Sequence, residues 1–348
     1  TPAMNRRPPR TTTAPRATAP DPVGVVGLGI MGSSISANLV KAGFTVHGTD
    51  PVAQARTRLK KAGGKPCASV AEVAAQCRWM VLSLPSEAAL AAVSDELARS
   101  GLRGTVVAET STLPEAAKEA ARQRLAPAGI TLLDCPLSGT GAQAITGDLA
   151  VYASGDRRAI ESMAAVFAGF ARVRYDVGDF GSGMRMKLVA NLLVAIHNVS
   201  AAEAIALGVR SGLDASQIVK VVSDGAGGSR MLQVRGPLMA ERTWTETVTM
   251  KVSTWQKDMR LIAEALAATG TPAPLFAATE PVYNAAIGLG HGAHDTASVY
   301  SVLEHMMGAA GASRTAARAA TPKRKAAAAP KAQRGRDGLA ARARASGA

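Results

Sequence analysis

Val25-Val26-Gly27-Leu28-Gly29-Ile30-Met31-Gly32, continuing as SSISANLVKAG to Gly43, is the stretch on which the fold turns. Val23 to Leu28 is a short, β-branched apolar run, glycines follow at once, and Ile35, Leu39 and Val40 then recur at helical spacing. This pattern reads as strand, tight turn and helix, with a GxGxxG in the turn. Gly27 permits the turn, Gly29 lets backbone approach a pyrophosphate, and Gly32 lets the helix pack on the strand. The amides at the start of that helix would bind the phosphates, so Leu28, Ile30 and Met31 are expected to share the cofactor contact. A glycine-rich turn without a ligand is the alternative, and a downstream acid argues against it. Asp50 ends the second predicted strand about 20 residues on, where a carboxylate accepts the ribose hydroxyls of a dinucleotide. Pro51 follows instead of an arginine that could receive a 2′-phosphate, so NAD is expected over NADP. Asp50 could also cap the helix after Pro51.

The alternation continues outward. Strands are predicted at Phe44 to Gly48, Trp79 to Leu84, Thr105 to Ala108, Thr131 to Asp134 and Leu149 to Ala153, with helices from about Pro51 to Ala62 and after Pro114. Repeated βα units imply an α/β Rossmann domain with a doubly wound, mainly parallel sheet, over residues 21–183. From Met184 the period becomes helical for some 28 residues until Gly212. Further helices are predicted at Ala215 to Ser223, Pro237 to Glu241, Lys251 to Thr269, Pro274 to Leu289 and Thr296 to Met307, giving an all-α domain over 184–310.

The composition, 47% hydrophobic and 3% aromatic, suits an α/β enzyme better than a base-stacking RNA binder. The net charge of +14 is concentrated at the ends: residues 1–20 hold Arg6, Arg7, Arg10 and Arg16 without an acid, and residues 313–348 hold ten Lys or Arg against Asp337 alone. Both ends, 1–20 and 311–348, lack apolar periodicity and are expected to be disordered. The N-terminal stretch shares its Arg- and Thr-rich composition with transit peptides, although its prolines disfavour their helix. It has no secretory apolar stretch. No run of about 18 apolar residues was found, so no membrane span is expected. A cytoplasmic location is favoured over a mitochondrial one. Cys67, Cys77 and Cys135 have no ligand spacing, and His47, His291 and His294 lack a partnered carboxylate at ligand spacing, so no metal is expected.

Four ordered motifs resemble the β-hydroxyacid dehydrogenase family, whose members include 3-hydroxyisobutyrate dehydrogenase: the stretch VVGLGIMGSSISANLVKAG, Asp134-Cys135-Pro136-Leu137-Ser138-Gly139, Gly181-Ser182-Gly183 followed by Lys187 and Asn191, and Lys257-Asp258. The resemblance covers residue 23 to about 307. It implies an NAD-dependent oxidation of a small 3-hydroxy acid to a semialdehyde, with Lys187 as general acid/base. An ordinary lysine at pKa about 10.4 would be protonated, so desolvation and a neighbouring cationic nicotinamide must lower it. Asn191, at i+4, shares the face of Lys187 and could hydrogen-bond the substrate. Ser138 and the amides of Gly139 and Thr140 would receive the substrate carboxylate. Ser111 and Leu84-Pro85 match positions lining the nicotinamide side, and Lys257 matches a supporting lysine there. The alternatives are a solvated helix for Lys187 and Lys257 and a plain turn at Ser138-Gly139. Thr140 and Ala190 depart from a usual glycine and asparagine, which leaves room for a longer, more hydroxylated acid such as a threonate-like one. The resembled family also implies a homodimer or homotetramer. The alternative from another class is a dehydrogenase-like module tethered to nucleic acid by the basic ends, with weak contact to nucleic acid as a side activity.

Overall fold

The structure is a computed structural model that describes residues 21–308. The expectations for residues 1–20 and for the tail, with the nucleic-acid contact that depends on them, fall outside the described residues. The first half runs β1 (Val23–Val26), α1 (Ile30–Lys41), β2 (Val46–Thr49), α2 (Ala53–Lys61), β3 (Lys65–Pro66), α3 (Val70–Gln76), β4 (Trp79–Leu82), α4 (Glu87–Arg99), β5 (Val106–Glu109), α5 (Glu115–Leu125) and β6 (Thr131–Asp134). These strands form one parallel sheet in the order β3-β2-β1-β4-β5-β6. Its two central strands, β1 (VGVV) and β4 (WMVL), carry no charged residue because both faces of the sheet are covered. Val25, Val81, Ala108 and Leu133 enter one core cluster, while their neighbours Val26, Met80, Leu82, Val107 and Leu132 enter the other. Each fully buried Val or Leu contributes about 1.5–3 kcal/mol relative to exposure, so a one-residue slip would be prohibitive.

The run at Leu149 to Ala153 does not extend this sheet. It is β8 (Ala150–Ala153) of a separate three-stranded sheet, antiparallel to β7 (Leu137–Ser138) and parallel to β9 (Val173–Asp176). Helices α6 (Gly141–Ile145), α7 (Arg157–Ser162) and α8 (Ala164–Phe170) fill the intervals. Periodicity marks a strand but carries no information about which edge it joins, and β7 and β9 were too short or too polar to register.

The helical half begins with α9 (Ser182–Arg210), against which α10 (Ala215–Ser223), α11 (Arg230–Glu241), α12 (Val252–Thr269), α13 (Pro274–Gly288) and α14 (Val299–Met306) all pack. Two expectations are corrected here. Pro237 is not a helix start: α11 opens seven residues earlier, where the Ser229 hydroxyl accepts from the Leu232 amide, and the proline sits inside it. The last predicted helix is split into a 3-10 turn at Thr296–Ser298 and α14. By length and composition, α9 is apolar enough to cross a membrane, with a mean hydropathy of 1.7 over an 18-residue stretch. Five packed helices and the buried polar contacts of Asn191 and Asn198 make it the central helix of this body. Among the described residues, 21–306 belong to one compact unit.

A Cβ on Gly32 would lie 1.9 Å from the carbonyl oxygen of Gly27, a backbone atom that cannot turn aside. Gly32→Ala is therefore expected to destabilise the fold by about 1–3 kcal/mol. Urea unfolding checks this, and an unchanged midpoint contradicts it.

Candidate active site

In-register parallel pairing brings Val26, Thr49, Leu82, Glu109 and Asp134 to one edge. The strand order reverses between β1 and β4, and crevices at such switch points hold ligands in open α/β sheets. Gly27 turns the chain there with φ +87°, and a Cβ on it would strike the Ser83 carbonyl oxygen at 2.1 Å. A Cβ on Gly29 would meet nothing within 4 Å, so this backbone faces open space. No side chain caps α1 and its first turn has no acid, which leaves a positive helix end ready for an anion. The donor set therefore fits a pyrophosphate.

Asp50 directly follows β2 with its carboxylate fixed: Oδ2 accepts from the Leu28 amide at 2.7 Å and Oδ1 from the Val52 amide at 2.8 Å. Each oxygen keeps acceptor capacity for ribose hydroxyls. Sequence reasoning missed Arg56, whose Nη1 donates to the carbonyl oxygens of Asp50 and Pro51. The signal was a basic residue in the first turns of α2, within reach of the acid before it.

On the other side of the switch point, the Leu84 amide donates to Ser111 Oγ at 2.7 Å and the Ser111 amide to Glu109 Oε1 at 2.9 Å. Leu84 and Ser111 are thus brought together, with Pro85 exposed beside them. Lys257 Nζ donates to the Thr112 carbonyl oxygen and to Asp258 Oδ1, and Asp258 Oδ2 accepts from Asn191 Nδ2 at 3.1 Å. Asn191 is buried, with one amide N–H held by Asp258, so it is less free for a substrate than its helical position implied. Lys187 lies one turn before it on the same face of α9 and is only partly exposed. Desolvation depresses the Lys187 pKa, the Lys257 cation depresses it further, and Asp258 partly opposes both.

The carboxylate loop needs a correction at Thr140. Its amide donates to Gln143 Oε1 at 3.0 Å and its hydroxyl accepts from the Gln143 amide, a capping box at the start of α6. The Thr140 amide is therefore already used, because a threonine three residues before a glutamine closes this reciprocal pair. Thr-Gly-Ala-Gln displayed that signature in the sequence. Ser138, on β7, and Gly139, at φ +144°, are the members of the segment outside this cap.

A buried cluster behind the site was not anticipated. Lys118 Nζ lies 2.7 Å from Glu109 Oε2 and 2.7 Å from Asp134 Oδ1, all three side chains fully buried. Burial alone would lower the lysine pKa, but Glu109 and Asp134 more than offset it and hold Lys118 charged. Cys135, next to Asp134, is a buried core thiol pushed upward by desolvation, with no nucleophile character.

A doubly wound sheet with an open glycine turn at its switch point, joined to a helical body presenting a desolvated lysine, defines a dinucleotide-dependent dehydrogenase. The profile for the NAD binding domain of 6-phosphogluconate dehydrogenase matches residues 22–181, and that for NAD-binding of NADP-dependent 3-hydroxyisobutyrate dehydrogenase matches 181–303. An L-threonate dehydrogenase of Cupriavidus necator is 32% identical over 284 residues, 80% of this chain and 95% of its own. An NAD-dependent L-serine dehydrogenase of Pseudomonas aeruginosa is 28% identical over 82% of this chain and 99% of its own. The crystal structure of a 3-hydroxyisobutyrate dehydrogenase from Salmonella typhimurium superimposes with a TM-score of 0.74 at 29% identity, covering 81% of this chain and all of that one. The chain belongs to the β-hydroxyacid dehydrogenase family, as an NAD(P)-dependent enzyme acting on CH–OH groups. These dehydrogenase relatives give the nucleic-acid reading no support.

Lys257→Met removes a cation that depresses Lys187 and frees Asp258 to raise it, so the Lys187 pKa is expected to rise. The pH dependence of Lys187 labelling by trinitrobenzenesulfonate, read by mass spectrometry, checks the direction. A downward shift contradicts it.

Proposed function

We propose that this enzyme oxidises a small hydroxy acid with NAD, with Lys187 accepting the hydroxyl proton. The observation that carries this reading is Lys187 itself: a lysine whose pKa is depressed by desolvation and Lys257, one turn from Asn191. When bound, NAD supplies the acceptor for the hydride that leaves the alcohol carbon. The α1 amides and Gly29 would hold its pyrophosphate, Asp50 its ribose, and Leu84, Pro85 and Ser111 would border its nicotinamide. Ser138 and the Gly139 amide would hold the substrate carboxylate and so place the alcohol against Lys187. A neutral lysine there takes the hydroxyl proton as the carbonyl forms, and in the reverse direction the ammonium returns it. Oxidation should therefore follow an ascending pH limb set by Lys187.

The substrate belongs to the small hydroxy acids; oxidation of 3-hydroxyisobutyrate, one of them, would give a semialdehyde. The L-threonate and L-serine dehydrogenase relatives favour one carrying an additional polar group. Ala190 stands where the family usually has an asparagine, so α9 offers one amide fewer there. The same reading includes a homodimer or homotetramer, supported by Met186, Val189 and Leu193, which leave an exposed apolar stripe along α9.

NADH formation measured against L-threonate, L-serine and 3-hydroxyisobutyrate tests the reading. Turnover of at least one acid with NAD is expected, with a loss of about 10²–10⁴-fold in Lys187→Ala. Equal turnover in that variant contradicts it. Asp50→Gly should raise the ratio of NADP to NAD efficiency, since it removes the carboxylate that repels a 2′-phosphate and leaves Arg56 beside the position. Steady-state kinetics with both cofactors give the ratio, and an unchanged ratio removes Asp50 from cofactor selection.

A further inference from the structure

Lys118 lies on α5, away from the groups that hydride transfer requires, yet two polar paths lead from its cluster to the site. Glu109 uses Oε2 for Lys118 and Oε1 for the Ser111 amide, and Ser111 Oγ in turn accepts from the Leu84 amide. Asp134 uses Oδ1 for Lys118 and Oδ2 for the Met184 amide at 2.7 Å. Ser154 Oγ donates to Asp134 and accepts from the Gly183 amide at 2.9 Å. Gly181 precedes α9 and offers no side-chain cap, so the Gly183 and Met184 amides are satisfied from the sheet edge, the second by a carboxylate at the favourable end of the helix dipole. A Cβ on Gly183 would lie 2.7 Å from the Asp134 carbonyl oxygen, so helix and sheet edge meet backbone to backbone. Lys187 is three residues beyond Met184, roughly 4.5 Å along the axis. Four residues further on, Asn191 is tied through Asp258 and Lys257 to the Thr112 carbonyl oxygen. Lys187 is thus bracketed by two anchors on α9, and both lead back to the loop after β5.

We propose that the Glu109–Lys118–Asp134 cluster is a positioning strut that sets the spacing between the Leu84–Ser111 edge and Lys187, making Lys118 a positioning residue for hydride transfer. This rests on the preceding reading of Lys187. Two carboxylates bridged by one buried ammonium are a poorer core filler than apolar side chains of the same volume, so packing alone does not account for them. Without Lys118, Glu109 and Asp134 face each other with no counter-cation, and the ends of β5 and β6 must part or share a proton. Either change moves the Ser111 loop relative to α9.

Lys118→Met and Ser154→Ala in the full chain test the proposal. With NAD and the best acid among L-threonate, L-serine and 3-hydroxyisobutyrate, Lys118→Met should lose about 10²-fold in kcat, the size of effect that a misplacement near 1 Å produces. Its primary deuterium isotope effect, measured with substrate deuterated at the oxidised carbon, should rise while the NADH dissociation constant changes little. Ser154→Ala, which removes one link to α9 and leaves the ion cluster intact, should show the same pattern more weakly. Folded variants that keep the wild-type kcat and isotope effect, or that lose kcat only in parallel with cofactor binding, overturn the strut. Should Lys118→Met fail to fold, Ser154→Ala decides. Should the wild type oxidise none of the three acids, the reading of Lys187 falls by itself. The strut is then judged by the emission of bound NADH, which should change in Lys118→Met at similar affinity; identical emission overturns it.

Discussion

Parallel pairing in register is the constraint from which the site follows. It fixes the C-terminal ends of β1, β2, β4, β5 and β6 along one edge, and every group assigned to the cofactor is anchored there. The glycine turn leaves β1, Asp50 follows β2, Leu84 follows β4, and Glu109 and Asp134 close β5 and β6. Their spacing is that of neighbouring strands, about 4.8 Å per step. A rigid, doubly covered sheet can therefore hold a long dinucleotide with few dedicated side chains. The two cores on its faces supply the rigidity.

Helix α9 does something different: it holds Lys187 in desolvated surroundings that lower its pKa. The helix is apolar enough to be the hub for five others, and its buried asparagines, Asn191 and Asn198, are both hydrogen-bonded across the fold. Asn198, seven residues beyond Asn191, donates to the Tyr283 hydroxyl and to the Thr296 carbonyl oxygen, tying α9 to the end of the helical body. Lys187 remains near Asp258 and Lys257, whose opposed charges leave desolvation as the leading influence. Low dielectric surroundings make such influences larger than they would be in water.

Much of this was legible in the sequence because it is local. The glycine turn and the helical period from Met184 to Gly212 each announce themselves within a few residues, and the family motifs mark Lys187, Asn191 and Lys257 as candidates. What escaped the sequence depends on contacts across the fold. Lys118 reads as one more lysine on an amphipathic helix, since its partners stand 9 and 16 residues away at strand ends whose adjacency only the sheet order reveals. The second sheet escaped for the same reason. Thr140 carried a local signal that went unread: with Gln143 it forms a capping box, which engages the amide that had been assigned to a carboxylate. Arg56 lies between these cases, close in sequence to Asp50 but brought to its carbonyl only by the start of α2.

The central claim is that Lys187 is the group that exchanges a proton with the substrate hydroxyl. A crystal structure of the protein with oxidised NAD and L-threonate tests it most directly. The account predicts Lys187 Nζ within about 2.6–3.2 Å of the hydroxyl on the carbon facing the nicotinamide, with the carboxylate on Ser138 and the Gly139 amide. A bound substrate whose hydroxyl faces another base, with Lys187 turned away, would contradict it.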